Sequence, residues 1–424
     1  MRNLQLNDER YLLLNDILLL NRHQKSKTIS TMTSIHSNIK TADLSQYGSG
    51  SYLASDVTVL LNIVDKDAVA DVPVSQKEAL IQSGQRHYSD MLTLEDAPSA
   101  MHEQLYIEAL EQGKVRAATD ITNLAHTLQQ VFQPNVNNER PLILVSLVRA
   151  GLPIGVLLQR ALATANSSYS LPSVHYGVSI IRDRGLDPIA LKMILNNHPH
   201  SPIVFVDGWT GKGAIYQELA HSLKAFADPN HPNFANIFHQ GQDVIPLLTL
   251  ADPAGVAWLA ASIDDWLIPS GLLNSTVSGL ISRSLYTEPE LGLHRSVFYD
   301  NLISVDHSLA FIDCIDATRR ILNTPLKCLP THKQPRYQTA ELVDSLAAEY
   351  GISNRNRIKP TIAEATRAIL RRDPERILLA SAEHPDTILL RHLCTQRHIA
   401  ISVLGDKILP YQAITLIKQR ATDD

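Results

Sequence analysis

Cysteine is scarce in this chain. Only Cys314, Cys328 and Cys394 occur in 424 residues, and they are widely separated. They make no metal-ligand spacing and no even disulfide framework, so no metal site is expected and a reducing, cytoplasmic setting is. Long apolar runs are missing too. The stretch "YLLLNDILLL" (11–20) is broken by Asn15 and Asp16 and is far too short to span a bilayer. Asp8 and Glu9 precede it and no small-residue cleavage site follows, which argues against a secretory signal. Charge is not one-sided either. The formal net charge is -5, so any contact with nucleic acid has to be local. Internal repeats and coiled-coil heptads are absent.

What is present fits an ordinary globular protein, 44% hydrophobic and 19% charged, long enough for two or more domains. Residues 1–44 read as a flexible, Ser/Thr-rich leader. Apolar residues recur with a helical period over 101–133. A series of strand–loop–helix units follows. "LILVSLV" (142–148), "SVHYGVSII" (173–181), "PIVFVD" (202–207) and "VIPLLTLAD" (244–252) are strands, each ending in a loop, and helices follow the first three. This alternation predicts an α/β fold with a parallel sheet covered by helices on both faces. Ligands bind such sheets beyond the carboxyl ends of the strands. The polar stretch 326–357 reads as a linker. Residues 358–424 then read as a small α/β sandwich, with "PYQAITLIKQR" (410–420) expected as its last helix.

One loop stands out, "VFVDGWTGKG" (204–213). It is not a nucleotide P-loop. Gly208 lies only three residues before Gly211, and Gly213 stands where the Mg²⁺-binding hydroxyl belongs. A shorter loop can still hold one phosphate, because successive backbone N–H groups and a helix N-terminus converge on it. Asp207 suits hydroxyls, since a carboxylate only accepts hydrogen bonds. The alternative is an unliganded corner with Asp207 as a helix cap. "SLVRAGLPIG" (146–155) offers a second anion loop through Arg149 and Gly151. "RDRGLD" (182–187) supplies Arg182 and Arg184, on a loop that is equally well a solvated surface. Asp252 ends a strand at the same edge. Asp265, Asn274 and Ser275 lie in a Ser/Thr/Asn-rich stretch that reads either as an acceptor site or as helix caps.

These motifs together resemble a known family. "QSGQRHYSDM", "SLVRAGLPIGVLL", "GVSIIRDRGLD", "FVDGWTGKGAI", "DDWLIPSGLLNSTVSGLISR" and "KPTIAEATRAILRR" are similar to the phosphoribosyltransferase-like family of tellurite-resistance and stress gene clusters. Its N-terminal domain also goes by the name of the cysteine protease StiP, and its C-terminal domain resembles the RNA-binding part of Pelota. The resemblance implies a type I phosphoribosyltransferase-like domain over 45–325 and a Pelota/L7Ae-like sandwich over 358–424. It implies transfer of ribose 5-phosphate from phosphoribosyl pyrophosphate, carried with Mg²⁺, to a base-like acceptor. Asp207 would then hold the ribose, with Gly208 where a second acid is usual. Thr210, Gly211, Lys212 and Gly213 would hold the 5-phosphate, and Arg149, Ala150 and Gly151 the pyrophosphate. Arg182 and Arg184 would close over the leaving group.

In the C-terminal part, Arg355, Arg357, Lys359, Arg371 and Arg372 form a basic run suited to RNA phosphates, though no aromatic platform accompanies it. A solvated helix face is the alternative. Loss of the second acid favours a non-catalytic nucleotide sensor that regulates RNA, while the intact loops favour the transferase. Proteolysis is not expected, since no cysteine has an electropositive setting beside a histidine. Self-association remains open.

Overall fold

Apolar, β-branched runs become the interior strands of one sheet. The computed structural model describes residue 44 and residues 47–419, apart from 66–68, 70–71, 74–75, 78–79, 82, 93 and 227–243. The expected leader, except Leu44, lies outside the described residues. The first apolar run splits at Leu61 into β1 (Thr58–Leu60) and β2 (Asn62–Val64). Helix α1 (Ala100–Phe132) follows, opened by Ser99, whose hydroxyl accepts the His102 N–H. Then come β3 (Leu142–Val148), α2 (Gly151–Leu162), β4 (Ser173–Ile181), the short β5 (Gly185–Leu186), α3 (Pro188–Asn197), β6 (Ile203–Trp209), α4 (Ala214–Phe226), β7 (Leu247–Ala251) and β8 (Leu259–Ser262). The main unit is completed by α5 (Ser275–Ser278), β9 (Ser284–Leu285), β10 (Arg295–Val297) and α6 (Ser308–Ile321).

The central sheet has the order β1-β4-β3-β6-β7-β8 with all these pairs parallel, and β5 folds back antiparallel on β4. Successive side chains of a strand point to opposite faces. Leu142, Leu144, Val204 and Val206 accordingly pack with α1, α2 and α6, while Ile143, Val145, Ile203 and Phe205 pack with α3 and α4. Burial on both faces is why these strands read as continuous apolar runs. Strands β2, β10 and β9 make a small second sheet.

The C-terminal unit holds α7 (Ala340–Glu349), β11 (Ile358–Pro360), α8 (Ile362–Arg371), β12 (Pro374–Leu379), α9 (Ile388–Gln396), β13 (Ala400–Val403) and β14 (Ala413–Ile417). Its sheet runs β11-β14-β12-β13. Two expectations change here. The last segment is the strand β14, not a helix. Every residue from Ala413 to Ile417 is buried and the strand is flanked on both sides, which favours its Ile and Thr residues. Within the expected linker, α7 places Val343, Leu346 and Ala347 in one core with Ile352, Tyr411 and Ile414. No described helix is long and apolar enough to cross a membrane.

The two units share an apolar core, to which Trp209, Leu272 and Leu273 belong together with Ile362, Ala363 and Ile369, and polar contacts cross the same seam. Asp265 of the main unit accepts the N–H groups of Ile362 (3.0 Å) and Gln412 (2.8 Å). The Tyr411 hydroxyl donates to the Gly211 carbonyl at 2.7 Å. Lys212 Nζ donates to the carbonyls of Ile358 (3.0 Å) and Arg355. Replacing Asp265 with Ala strands two backbone donors in a buried seam. It should cost roughly 2–4 kcal/mol, seen as a fall in Tm by scanning calorimetry, and an unchanged melting profile would contradict the role given to Asp265.

Candidate functional site between the two units

Beyond the carboxyl ends of β3, β4 and β6 lies a cavity of about 730 Å³, closed on its far side by the C-terminal unit. Strand β6 delivers Asp207 and Trp209 to it, and residues 210–213 turn from that strand into α4. The β3 loop contributes Arg149 and Ala150, the β4 end contributes Arg182, and β11 and α8 contribute Lys359, Glu364 and Arg367. Arg372, just past α8, lines it as well. Cations from both units therefore meet in one space.

Burial sets the protonation of these groups. It pushes the Asp207 carboxyl up to about 7, against the pull of the Gly208 N–H and of Arg367. It brings the Lys212 ammonium down to about 8, and Arg182, Arg355 and Arg372 add to the descent while Glu364 opposes it. Lys359 is only 8% exposed, and its ammonium is held well below the usual lysine range by burial first and by Arg182 second. No hydrogen bond or ion pair is made by its side chain among the described residues. Arg367 stacks 4.7 Å above the Trp209 ring, and its buried Nε has no partner.

Several expected site residues line this cavity: Asp207, Arg149, Ala150, Arg182, Thr210, Gly211, Lys212, Gly213 and Asn274. Others have different work. Asp252 is fully buried and anchors a turn, accepting the Thr210 hydroxyl (2.6 Å), the N–H groups of Val256 and Ala257, and Arg336. Asp265 belongs to the seam. Gly151 lets α2 approach β6, where a Cβ would sit 2.1 Å from the Val206 carbonyl oxygen. Gly208 packs in the same way on Ala150. Ser275 supports Arg149, accepting from Nη1 at 3.2 Å while Glu95 pairs with Nη2 at 2.9 Å. Arg184 lies over the Tyr286 ring and near Asp90 instead of facing the cavity.

The expected RNA stripe is not an outward face. Lys359 and Arg372 line the cavity, and Arg357 is buried with its Nε on the Ile417 carbonyl. Arg355 alone is exposed among those whose side chains are described, and it pairs with Asp344 at 2.6 Å. The side chain of Arg371 lies outside the described residues. Docking of β11 and α8 turned these residues inward. The same docking supplies Glu364 and Arg367, which sequence reasoning did not place in the site. Glu95, which comes from a loop, was missed too.

The three thiols stand apart from the cavity. Cys394 is buried and its thiol pushed up to about 12, while Cys314 is half-buried with its thiol raised by burial and by Glu111. Cys328 is exposed. No described histidine hydrogen-bonds any of them. Two buried Ser–His pairs, Ser146 with His175 (2.7 Å) and Ser179 with His294 (2.8 Å), sit within the sheet and away from the surface.

Comparison with known proteins corrects the expected activity. Residues 50–316 match the family described as tellurite-like stress resistance cysteine protease StiP, and residues 337–419 match the PELOTA RNA binding domain. A relative from Acinetobacter baylyi (strain ATCC 33305 / BD413 / ADP1), named cysteine protease StiP, is 46% identical over 390 residues. The match covers 89% of this chain and 96% of the relative. No solved structure matches. Phosphoribosyl transfer, read from the loops, is overturned by these names, and so is the expectation that proteolysis does not apply. The chain belongs to the tellurite-like stress resistance cysteine protease StiP family.

Proposed function

We propose that this family member binds a phosphate-bearing anion in the cavity between its two units, the phosphate belonging to an RNA held by the Pelota-type unit. The observation that carries this reading is the convergence of Arg149, Arg182, Lys212, Lys359, Arg367 and Arg372 on one cavity. Lys359 matters most. Burying an ammonium without a partner is costly, and an anion removes that cost. The cavity includes Gln396 and Arg397 from α9 and its end, so more of its wall comes from the Pelota-type unit.

Sulfate is a clean probe, because its charge does not change between about pH 6 and 9. Calorimetry should show sulfate binding to the wild type, and Lys359→Met should weaken it at least about tenfold, or roughly 1.4 kcal/mol. Equal affinities would remove the cavity from consideration. The pH dependence has a definite sign. Asp207 gains a negative charge as pH rises through about 7, and Lys212 loses a positive one through about 8. Both changes oppose an anion, so affinity should fall steadily from pH 6 to pH 9. A flat or rising profile would contradict the assignment of these groups.

A second reading is favoured by the relative's name. Thiol proteolysis needs an accessible sulfur near a base. Cys328 is the exposed thiol, on an extended segment held along α1 by Lys327 N–H to Asn123 Oδ1 (3.0 Å) and Leu329 N–H to Thr127 Oγ1 (2.9 Å). His126 sits between those two anchors in sequence, and its Nδ1 is buried without a partner. We therefore assign any thiol protease activity to Cys328. In a casein-cleavage assay, Cys328→Ala should abolish turnover while Cys314→Ala and Cys394→Ala retain it. Full activity in Cys328→Ala would refute the assignment.

A further inference from the structure

The loop after β6 holds three backbone donors in reserve. The N–H groups of Gly211, Lys212 and Gly213 donate to no group among the described residues, and they lead directly into α4, a helix of 13 residues. Such an arrangement of free N–H groups at a helix start favours an anion. Lys359, nine-tenths buried and unpartnered, faces the same cavity. A carboxylate lies against the same loop, on the side where Gly211 has no side chain. A Cβ on Gly211 would lie 2.6 Å from Glu364 Oε1 and 2.9 Å from its Cδ, so the acid rests directly against the glycine. Glu364 itself forms no ion pair or side-chain hydrogen bond among the described residues.

Glu364 is rigidly mounted. It sits in the first turn of α8, whose cap is the Thr361 hydroxyl accepting the Glu364 N–H at 3.2 Å. That same turn carries the Ile362 N–H bonded to Asp265, the bond that docks the C-terminal unit. A force on the Glu364 carboxylate is therefore delivered to the seam.

We infer that Glu364 is an internal gate on the anion site. Its carboxylate stands at the 211–213 cradle, and an incoming phosphate group expels it, loosening α8 and with it the RNA-recognition unit. This rests on the anion-binding reading given above. The physical cause is like-charge repulsion at short range in a partly dehydrated space. A free glycine backbone at 211 makes the arrangement feasible, since a side chain there would leave room for neither the acid nor the ligand.

The test pairs calorimetry with hydrogen exchange on the full chain, using sulfate as the probe. In the wild type, sulfate should bind and speed exchange of the α8 amides. Glu364→Gln keeps the shape and removes the charge. It should bind sulfate about tenfold more tightly, with α8 exchange no longer responding. Glu364→Asp, which keeps the charge, should still respond. Equal or weaker binding by Glu364→Gln, or a wild-type α8 that ignores bound sulfate, would overturn the gate while leaving the anion site intact. No sulfate binding by either protein would remove the anion site and the gate together. Short oligoribonucleotides with 5′-phosphate and 5′-hydroxyl ends distinguish the source of the group. A response only to the phosphorylated one assigns the gate to an RNA end, and a response to sulfate alone assigns it to a free anion.

Discussion

The Asp265 carboxylate holds the two units together from inside their seam, and the cavity depends on it. It accepts backbone N–H groups from Ile362 and Gln412, at the starts of α8 and β14. Burial pushes its pKa up to about 7, and the N–H groups of Ile362, Gln412 and Ala413 pull it back. A carboxylate in such a place is tolerated because its lone pairs are satisfied by fixed dipoles. That contact acts together with an apolar core shared by the two units, in which Ile362, Ala363 and Ile369 join Trp209, Leu272 and Leu273, to bring Lys359, Glu364 and Arg367 to the main unit. There they close the edge of the main sheet, where ligands of α/β folds bind. The Tyr411 hydroxyl and the Lys212 ammonium add to the same seam, and both act on the 209–213 loop. Docking and site geometry are thus one structural fact.

Much of the main sheet was legible in the sequence. Strands β3 and β4 match the runs 142–148 and 173–181 to the residue, because burial on both faces keeps them mostly apolar and pairs their few polar side chains, Ser146 with His175 and Ser179 with His294. The parallel order followed from the alternation with helices. The C-terminal end was misread because Ala413–Ile417 carries no period of its own, and only flanking by β11 and β12 decides its state. The candidate site divides along the same line. Asp207, Arg149, Arg182 and the 210–213 loop do line one cavity, since their positions follow from where single strands end. Asp252 and Asp265 were misassigned because a buried acid that anchors a turn and one that meets a ligand look alike in sequence. Only their hydrogen bonds tell them apart. Glu364 and Arg367 depend on docking between units more than 150 residues apart in sequence, measured from Asp207 to Glu364, and no local pattern encodes that.

The corrected activity follows from a related distinction. An anion cradle is a product of backbone geometry, with a glycine-rich turn and a helix start as its parts. It fixes what kind of charge is held, not what reaction follows. The loops therefore resembled a phosphoribosyl site strongly while the family carries a protease name. The thiols bear on this. Cys314 and Cys394 are raised by burial, which disfavours the thiolate, and no cysteine lines the cavity. In this chain the anion-binding space and any thiol chemistry are consequently separate places.

A buried space lined by cations is costly, and the protein lowers that cost in two ways. Burial shifts Lys212 and Lys359 toward their neutral forms. Glu364 adds a negative charge from the other unit beside the glycine loop. A bound anion would reverse both adjustments, recharging the lysines and making the Glu364 charge unfavourable where it stands. Protonation and docking would then respond to the same ligand. A cavity walled by a single rigid domain would respond through protonation alone. An acid contributed by the second unit would add a mechanical response to the protonation response.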